Sequence, residues 1–130
     1  MWVLSSKSEK QLEGVHPDLV SVVKGALEIS PYDFGITEGE RSVEKQKENI
    51  KKGVSTTIKT LHFKQEDGFV HAVDVVVYVN GKVTWDVKYY RKVIQAFFTV
   101  AIQQEVQIES GGLWESFVDG PHFQLGKSYR

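Results

Sequence analysis

The most continuous apolar segment of the chain, residues 72–79, contains three valines in a row and ends at the dipeptide Asn80-Gly81. Such a run is typical of a strand buried on both faces, and Asn-Gly favours a hairpin because both central residues of a type I′ turn need φ > 0. The run contains one carboxylate, Asp74. Since an isolated ionised carboxylate is costly to bury, Asp74 requires an Arg or Lys partner, several hydrogen bonds or a metal ion. A structural salt bridge is the ordinary explanation for such a residue.

Two segments carry apolar residues at the spacing of an α-helix. The first begins at Pro17, which suits the first turn of a helix, and stops at Ser30-Pro31. Its apolar stripe consists of Leu19, Val20, Val22, Val23, Ala26 and Leu27. The second covers residues 86–105 and is the longest predicted helix. Its stripe consists of Tyr90, Val93, Ile94, Phe97, Ala101 and Ile102. Both stripes are expected to face the core.

Shorter elements are predicted from capping and turn residues. A first helix is expected after a cap at Ser6 or Ser8, with its end at Gly14. A polar surface helix is expected over residues 42–52, capped by Ser42. Short strands are predicted at residues 32–38, 82–85, 106–109 and 122–125. His16 precedes Pro17 and is interpreted as a helix-entry residue rather than a ligand.

Composition excludes several classes of protein. The chain has 130 residues, a net charge of −1 and no cysteine. The length indicates one domain, residues 1–130. Mixed charges argue against a basic nucleic-acid-binding face, and any transition-metal site must use His, Asp or Glu. No segment has the pattern of a signal peptide or the roughly 18 apolar residues of a membrane span, so synthesis in the cytoplasm is expected.

A candidate for chemistry lies near the end of the chain, where Asp119 and His122 flank a Gly-Pro turn. Catalytic zinc sites use three protein ligands and an open position for water, and a nearby carboxylate can move the proton of that water. Two histidines, one aspartate and one free acid are therefore the minimum set for metal-assisted hydrolysis. By itself the Asp-x-x-His spacing is weak evidence, because it recurs by chance.

The chemistry-bearing segments together resemble a known family, the small phage endolysins of the L-alanyl-D-glutamate peptidase/D-Ala-D-Ala carboxypeptidase family of zinc peptidases. That family has the pattern Ser-x-His-x-x-Gly-x-Ala-x-Asp, followed later by an acid, two residues and His. This chain has Thr-Leu-His ending at His62, then Gly68, then His-Ala-Val-Asp ending at Asp74, and Asp-Gly-Pro-His from Asp119 to His122. The resemblance extends over nearly the whole chain, including the terminal stretch GGLWESFVDGPHFQL.

The resemblance implies specific roles. His62, Asp74 and His122 would be zinc ligands. Asp119 would be the general base that activates the water on the zinc, and then the acid that protonates the departing amine. Arg41 matches an Arg that binds substrate or steadies the oxyanion in relatives, a role that suits a permanently charged donor; a plain salt bridge is the alternative.

The chain departs from the family pattern in two places. His62 and Asp74 are 12 residues apart, whereas this pair is usually seven apart in relatives. We interpret the five extra residues as a small hairpin within residues 63–70. His71 is a rival ligand, but positions three apart on a strand point to opposite faces, so it would diverge from Asp74. The second departure is Leu113, where relatives commonly carry Asp.

These observations predict an α+β fold, with helices packed on a small, mainly antiparallel sheet and a zinc site in an edge cleft. The expected function is a zinc-dependent endopeptidase that cleaves the L-Ala–D-Glu bond of peptidoglycan for host lysis. A D,D-carboxypeptidase and a non-catalytic wall-binding module are the alternatives. The expected partner is the stem peptide, without nucleic acid or stable membrane association. The protein is expected to be a monomer that reaches the wall in the periplasm after release by a separate holin.

Overall fold

The computed structural model describes residues 2–53, 60–113 and 120–129. Within these ranges the chain forms four α-helices and five strands. The helices are α1 (Ser6–Gln11), α2 (Pro17–Ile29), α3 (Val43–Lys51) and α4 (Val87–Gln104). The strands are β1 (Asp33–Glu38), β2 (Ala72–Val79), β3 (Lys82–Thr84), β4 (Ile108–Ser110) and β5 (His122–Leu125). Short 3-10 turns occur at Gly111–Leu113 and Lys127–Tyr129.

The strands form one sheet in the order β1-β2-β5-β4, in which β3 pairs with the second half of β2. Every pairing between these strands is antiparallel. Because β2 is long, its first residues pair with β5 and its last residues pair with β3. The predicted α+β class, with helices packed on a small antiparallel sheet, is confirmed.

The two faces of the sheet have different chemistry. Val73, Val75 and Val77 of β2 are completely buried in the hydrophobic core, and Phe123 of β5 stacks on Phe97 of α4 with ring centroids 3.9 Å apart. Since side chains alternate along a strand, the intervening residues of β2 and β5 point to the other face. That second face carries Asp74, which is the register partner of His122, and Gln124. The helices therefore cover one face, and the polar residues collect on the other.

Local signals predicted most elements well. The β2 strand and the Asn80-Gly81 turn are confirmed, with φ of +53° and +77° at the two turn residues. Ser42 caps α3 as predicted, by accepting a hydrogen bond from the backbone nitrogen of Lys45. Within residues 63–70, Lys64 and Val70 form an antiparallel bridge, as expected for a small hairpin; we call this segment the 63–70 hairpin.

Four details of the predictions were wrong. The first helix ends at Gln11, three residues before the predicted Gly14. The cap of α1 is Ser5, whose Oγ accepts from the backbone nitrogen of Ser8, so neither Ser6 nor Ser8 is the cap. Ser8 Oγ instead accepts a hydrogen bond from the backbone nitrogen of Ile36, and this contact ties α1 to β1. Ile102 is 76% exposed, because it lies outside the arc of α4 that faces the sheet. Strand β4 begins at Ile108, two residues later than predicted.

In the described part of the chain, no helix is long and apolar enough to cross a membrane. The predicted loop after Gly53, the irregular stretch after Leu113 and Asp119 lie outside the described residues.

Candidate metal centre

Three predicted ligands from separate parts of the sequence meet on the polar face of the sheet. Asp74 and His122 are opposite each other on β2 and β5, and His62 lies in the segment that precedes β2. Asp74 Oδ1 is 3.2 Å from His122 Nδ1 and 3.3 Å from His62 Nε2, and the two ring nitrogens are 3.3 Å apart. The three potential ligand atoms all lie within 4.8 Å of one another. Each residue thus directs one donor atom to a common point.

His62 is oriented by the chain that follows β1. Its ring is 1% exposed, and its Nδ1 lies 2.7 Å from the backbone carbonyl oxygen of Gly39. A carbonyl oxygen accepts only, so Nδ1 of a neutral ring must carry the hydrogen and Nε2 must carry the lone pair. The backbone carbonyl of His62 in turn accepts from the backbone nitrogen of Arg41. The turn after β1 therefore fixes which nitrogen of His62 faces Asp74.

His122 is oriented through its other nitrogen. Its Nε2 lies 2.8 Å from Gln124 Oε1, and its Nδ1 faces Asp74 and His62. The two histidines therefore use opposite nitrogens: Nε2 of His62 and Nδ1 of His122 point to the centre. Their rings meet edge to face, with centroids 5.1 Å apart.

Asp74 is held in the ionised form that a metal ligand requires. Burial raises the pKa of its carboxyl, but the adjacent His122 and His62 side chains lower the pKa by more than burial raises it, so the net pKa is well below the ordinary value. Its second oxygen, Oδ2, accepts a hydrogen bond from Arg41 Nη2 at 3.3 Å. Oδ1 of Asp74 thus contacts the two histidines, and Oδ2 contacts Arg41.

Arg41 forms the salt bridge that was one of its two predicted roles. Its guanidinium donates to Glu38 Oε1 through Nε at 2.7 Å, to Gln46 Oε1 through Nη1 at 2.7 Å, and to Asp74. Gln46 is completely buried, and the Arg41 side chain is 10% exposed. Arg41 therefore connects β1 and α3 to the candidate metal centre, and its contact to the candidate ligands is Asp74.

The rival histidine lies elsewhere. His71 is 1% exposed, and its Nε2 is 2.7 Å from Asp67 Oδ2 in the 63–70 hairpin, away from the group of three. Leu113 is 63% exposed on the 3-10 turn after β4. Asp119, the predicted general base, precedes Gly120 and is outside the described residues.

Sequence reasoning missed the residues that hold the ligands in place. The contact of Gln124 with His122 could have been predicted, because a residue two positions after His122 on a strand lies on the same face of the sheet. No sequence pattern indicated the roles of Gly39 and Glu38, since their contacts with His62 and Arg41 depend on how the turn after β1 folds back.

The donor set fits a zinc ion better than calcium or magnesium. Two imidazole nitrogens and one carboxylate oxygen are a known combination for catalytic zinc, whereas calcium and magnesium prefer oxygen ligands throughout. Three protein ligands also leave a position open for water or substrate.

Comparisons with known proteins identify relatives and support this fold. The family model for "Phage L-alanyl-D-glutamate peptidase" matches residues 1–125. The chain is 36% identical over 113 residues to the L-alanyl-D-glutamate peptidase of Escherichia phage T5, covering 86% of this chain and 81% of the relative. Its structure is similar to the crystal structure of the Serratia marcescens L-Ala D-Glu endopeptidase ChiX, with a TM-score of 0.88 and 39% identity over 98% of this chain and 93% of the other.

Proposed function

The chain belongs to the phage L-alanyl-D-glutamate peptidase family, and we propose that it is an endolysin that hydrolyses the L-Ala–D-Glu bond in the stem peptide of bacterial peptidoglycan, with a zinc ion held by His62, Asp74 and His122. The observation that carries the zinc assignment is the convergence of these three side chains within 4.8 Å. Their chemistry, two imidazoles and a carboxylate, is that of a catalytic zinc site.

Hydrolysis adds water to the carbonyl carbon of L-Ala and releases the amino group of D-Glu, which must gain a proton. When bound, zinc supplies Lewis acidity, which polarises the carbonyl and acidifies water. The chain must supply a group that moves the proton from the attacking water to the departing nitrogen. Asp119 is proposed for this role, since it precedes His122 by three residues and is the acid of the sequence Asp-Gly-Pro-His.

Arg41 supports the centre from the side of Asp74. Its hydrogen bond to Oδ2 leaves Oδ1 for the metal and pairs a positive charge with the carboxylate. Glu38 and Gln46 hold the guanidinium in place. A contact between Arg41 and the substrate carbonyl or carboxylate is a second proposed role.

The proposal includes where the enzyme works. Its substrate is the peptide part of the cell wall, so the protein must pass from the cytoplasm of the host, where it is made, to the periplasm. We propose that a separate holin provides this passage and that the enzyme acts as a monomer without stable binding to membrane or nucleic acid.

The decisive experiment is mass spectrometry of purified peptidoglycan digested by the protein, with and without a zinc chelator. The expected result is a new amino terminus at D-Glu that is lost on chelation and restored by zinc. Release of terminal D-Ala instead would identify a D,D-carboxypeptidase. Unchanged peptidoglycan that nevertheless retains the protein would identify a non-catalytic wall-binding module. Cleavage that persists at full chelation would overturn the zinc assignment.

A further inference from the structure

Gln124 connects the metal centre to a residue that is not part of it. It lies on β5 two residues after His122, and its neighbour across the sheet is Glu109 of β4. The side chain is 8% exposed, and both ends of its amide are used. Oε1 is 2.8 Å from His122 Nε2, and Nε2 is 3.5 Å from Glu109 Oε1. The amide therefore spans from an acid on the neighbouring strand to a candidate ligand.

The acid determines which way the amide points. A carboxylate accepts hydrogen bonds only, so the NH₂ group of Gln124 must face Glu109, and the amide oxygen must then face His122. That oxygen can only accept, so His122 must donate from Nε2. In the neutral ring this places the lone pair on Nδ1, the nitrogen that points to the metal centre.

The arrangement matters because two acceptors compete for one hydrogen of the His122 ring. On the other side of the ring, Asp74 Oδ1 lies 3.2 Å from Nδ1, and an ionised carboxylate is a stronger acceptor than an amide. Without a partner for Nε2, the hydrogen would be drawn to Nδ1, and the lone pair would face away from the centre. A metal could then bind only after the tautomer had changed.

We propose that Gln124, oriented by Glu109, is a positioning residue that fixes His122 in the Nε2–H tautomer and so presents its Nδ1 lone pair for metal binding. The inference rests on the proposed function to the extent that the centre binds zinc. It adds a residue pair, one from each of β4 and β5, whose effect reaches the metal only through His122. Gly39 has the same effect on His62, but through a backbone carbonyl that substitution cannot remove.

Zinc affinity is the first test, measured by competition with a chromophoric chelator. Gln124→Met keeps the length of the side chain and removes the acceptor, and we expect zinc to bind about 10- to 100-fold more weakly. The exchange variant Glu109→Gln/Gln124→Glu puts an acceptor back on His122 and a donating amide at the other position, and it should recover most of the loss. Gln103→Met, at an exposed position of α4, is the matched control and should bind as the original protein does.

The tautomer itself is the second test and does not depend on zinc. Nitrogen-15 NMR of the His122 ring in the metal-free protein, at a pH where the ring is neutral, should show the hydrogen on Nε2. In Gln124→Met the Nδ1–H form should become the major one. If that variant does not fold, Gln124→Asn keeps a polar amide but withdraws the oxygen from His122, and the same change is expected.

The outcomes separate this inference from the proposed activity. An unchanged tautomer and unchanged zinc affinity in Gln124→Met, or in Gln124→Asn, would overturn the inference even if the protein cleaves peptidoglycan. A tautomer shift with weaker zinc binding would support it even if the original protein proved inactive on the wall. A loss of affinity that the exchange variant does not recover would mean that Gln124 acts through packing alone, which also overturns it.

Discussion

His122 and Asp119 are three positions apart in the sequence but have different proposed tasks, and single substitutions should separate them. His122→Ala removes one of three ligand atoms, so we expect zinc binding and cleavage to be lost together. Asp119→Ala removes the proposed proton carrier and leaves the three ligands intact, so zinc should stay bound while cleavage falls at least about 100-fold. Zinc content and turnover of peptidoglycan fragments, measured on the same samples, check both expectations. A fully active Asp119→Ala protein would contradict the mechanism.

Arg41 has a structural contact that is visible and a substrate contact that is proposed, and saturation with zinc distinguishes them. Arg41→Lys keeps the charge but cannot donate to Glu38, Gln46 and Asp74 at once, because Lys lacks the planar fork. If Arg41 acts only by holding Asp74, activity should fall with zinc affinity and return when zinc is saturating. We expect a remaining loss of about 10-fold in kcat/KM at saturating zinc, because an oriented donor to the substrate is also missing. Full recovery of kcat/KM at saturating zinc would mean that Arg41 acts only through its salt bridge.

The turn after β1 should be unusually sensitive to the smallest side chain. A Cβ added to Gly39 would lie 2.1 Å from the backbone oxygen of Gln11 and 3.0 Å from a methyl group of Val15. Backbone must therefore move in Gly39→Ala, and the carbonyl that orients His62 must move with it. We expect a loss of about 2 kcal/mol in the free energy of unfolding, together with weaker zinc binding. Glu40→Ala, at the exposed next position, is the control for denaturant unfolding and zinc titration; equal effects of the two substitutions would contradict the expectation.

The 63–70 hairpin is expected to contribute to stability and not to catalysis. Asp67 receives hydrogen bonds from His71 and from the backbone nitrogen of Phe69, and His16 of the α2 cap lies 3.8 Å away. Burial raises the pKa of Asp67. The hydrogen bonds and the charges of the two histidines lower the pKa by more than burial raises it, so the net pKa is below the ordinary value. Since the carboxyl half-ionises near pH 4 when unfolded, its stabilising effect is present above that pH and is lost as pH falls through the lower folded pKa.

Asp67→Asn should therefore lower the free energy of unfolding by about 1 kcal/mol at neutral pH, a modest value because the carboxylate is partly exposed. The difference from the original protein should shrink as the pH falls below about 4, because the carboxyl is protonated first in the unfolded chain and then, at its lower folded pKa, in the native protein. Denaturant titrations over a pH series measure this difference, with Glu66→Gln at the exposed neighbouring position as the control. Zinc affinity should stay the same; a loss as large as that of His62→Ala would show that the hairpin belongs to the metal centre.

At the level of elements, the sequence predicted the features that are determined by residues close together in the chain. The β2 strand, its turn and the α3 cap follow from local chemistry, and they were located correctly. Ile102 was misplaced because periodicity does not reveal where a helix stops facing the core. At the site, sequence patterns identified His62 through its family context, but its partner Gly39 lies 23 positions away. Such contacts depend on how separate segments fold against each other, which periodicity and capping do not encode.

At the scale of the whole molecule, the candidate metal centre lies where separate parts of the chain are brought together. Asp74 and His122 join the central strands β2 and β5, His62 adds the segment before β2, and Arg41 connects the group to β1 and α3. In the unfolded chain these ligands are separated by up to 60 residues, so the native arrangement binds a metal ion far better than the unfolded one. Zinc should therefore raise the free energy of unfolding of the whole protein, in addition to its proposed role in hydrolysis.

A ligand that binds only the native state raises the free energy of unfolding by about 2.7 kcal/mol when its free concentration is 100 times its Kd. For a chain of 130 residues this corresponds to an increase in Tm of about 10 °C. Thermal unfolding of the metal-free protein, with and without added zinc, measures the shift. His122→Ala should show almost no shift, because it lacks a ligand, whereas Gln103→Met should shift as the original protein does. An equal shift in His122→Ala would mean that zinc stabilises the protein by binding at another site. The absence of a shift in the original protein would contradict zinc binding at this centre.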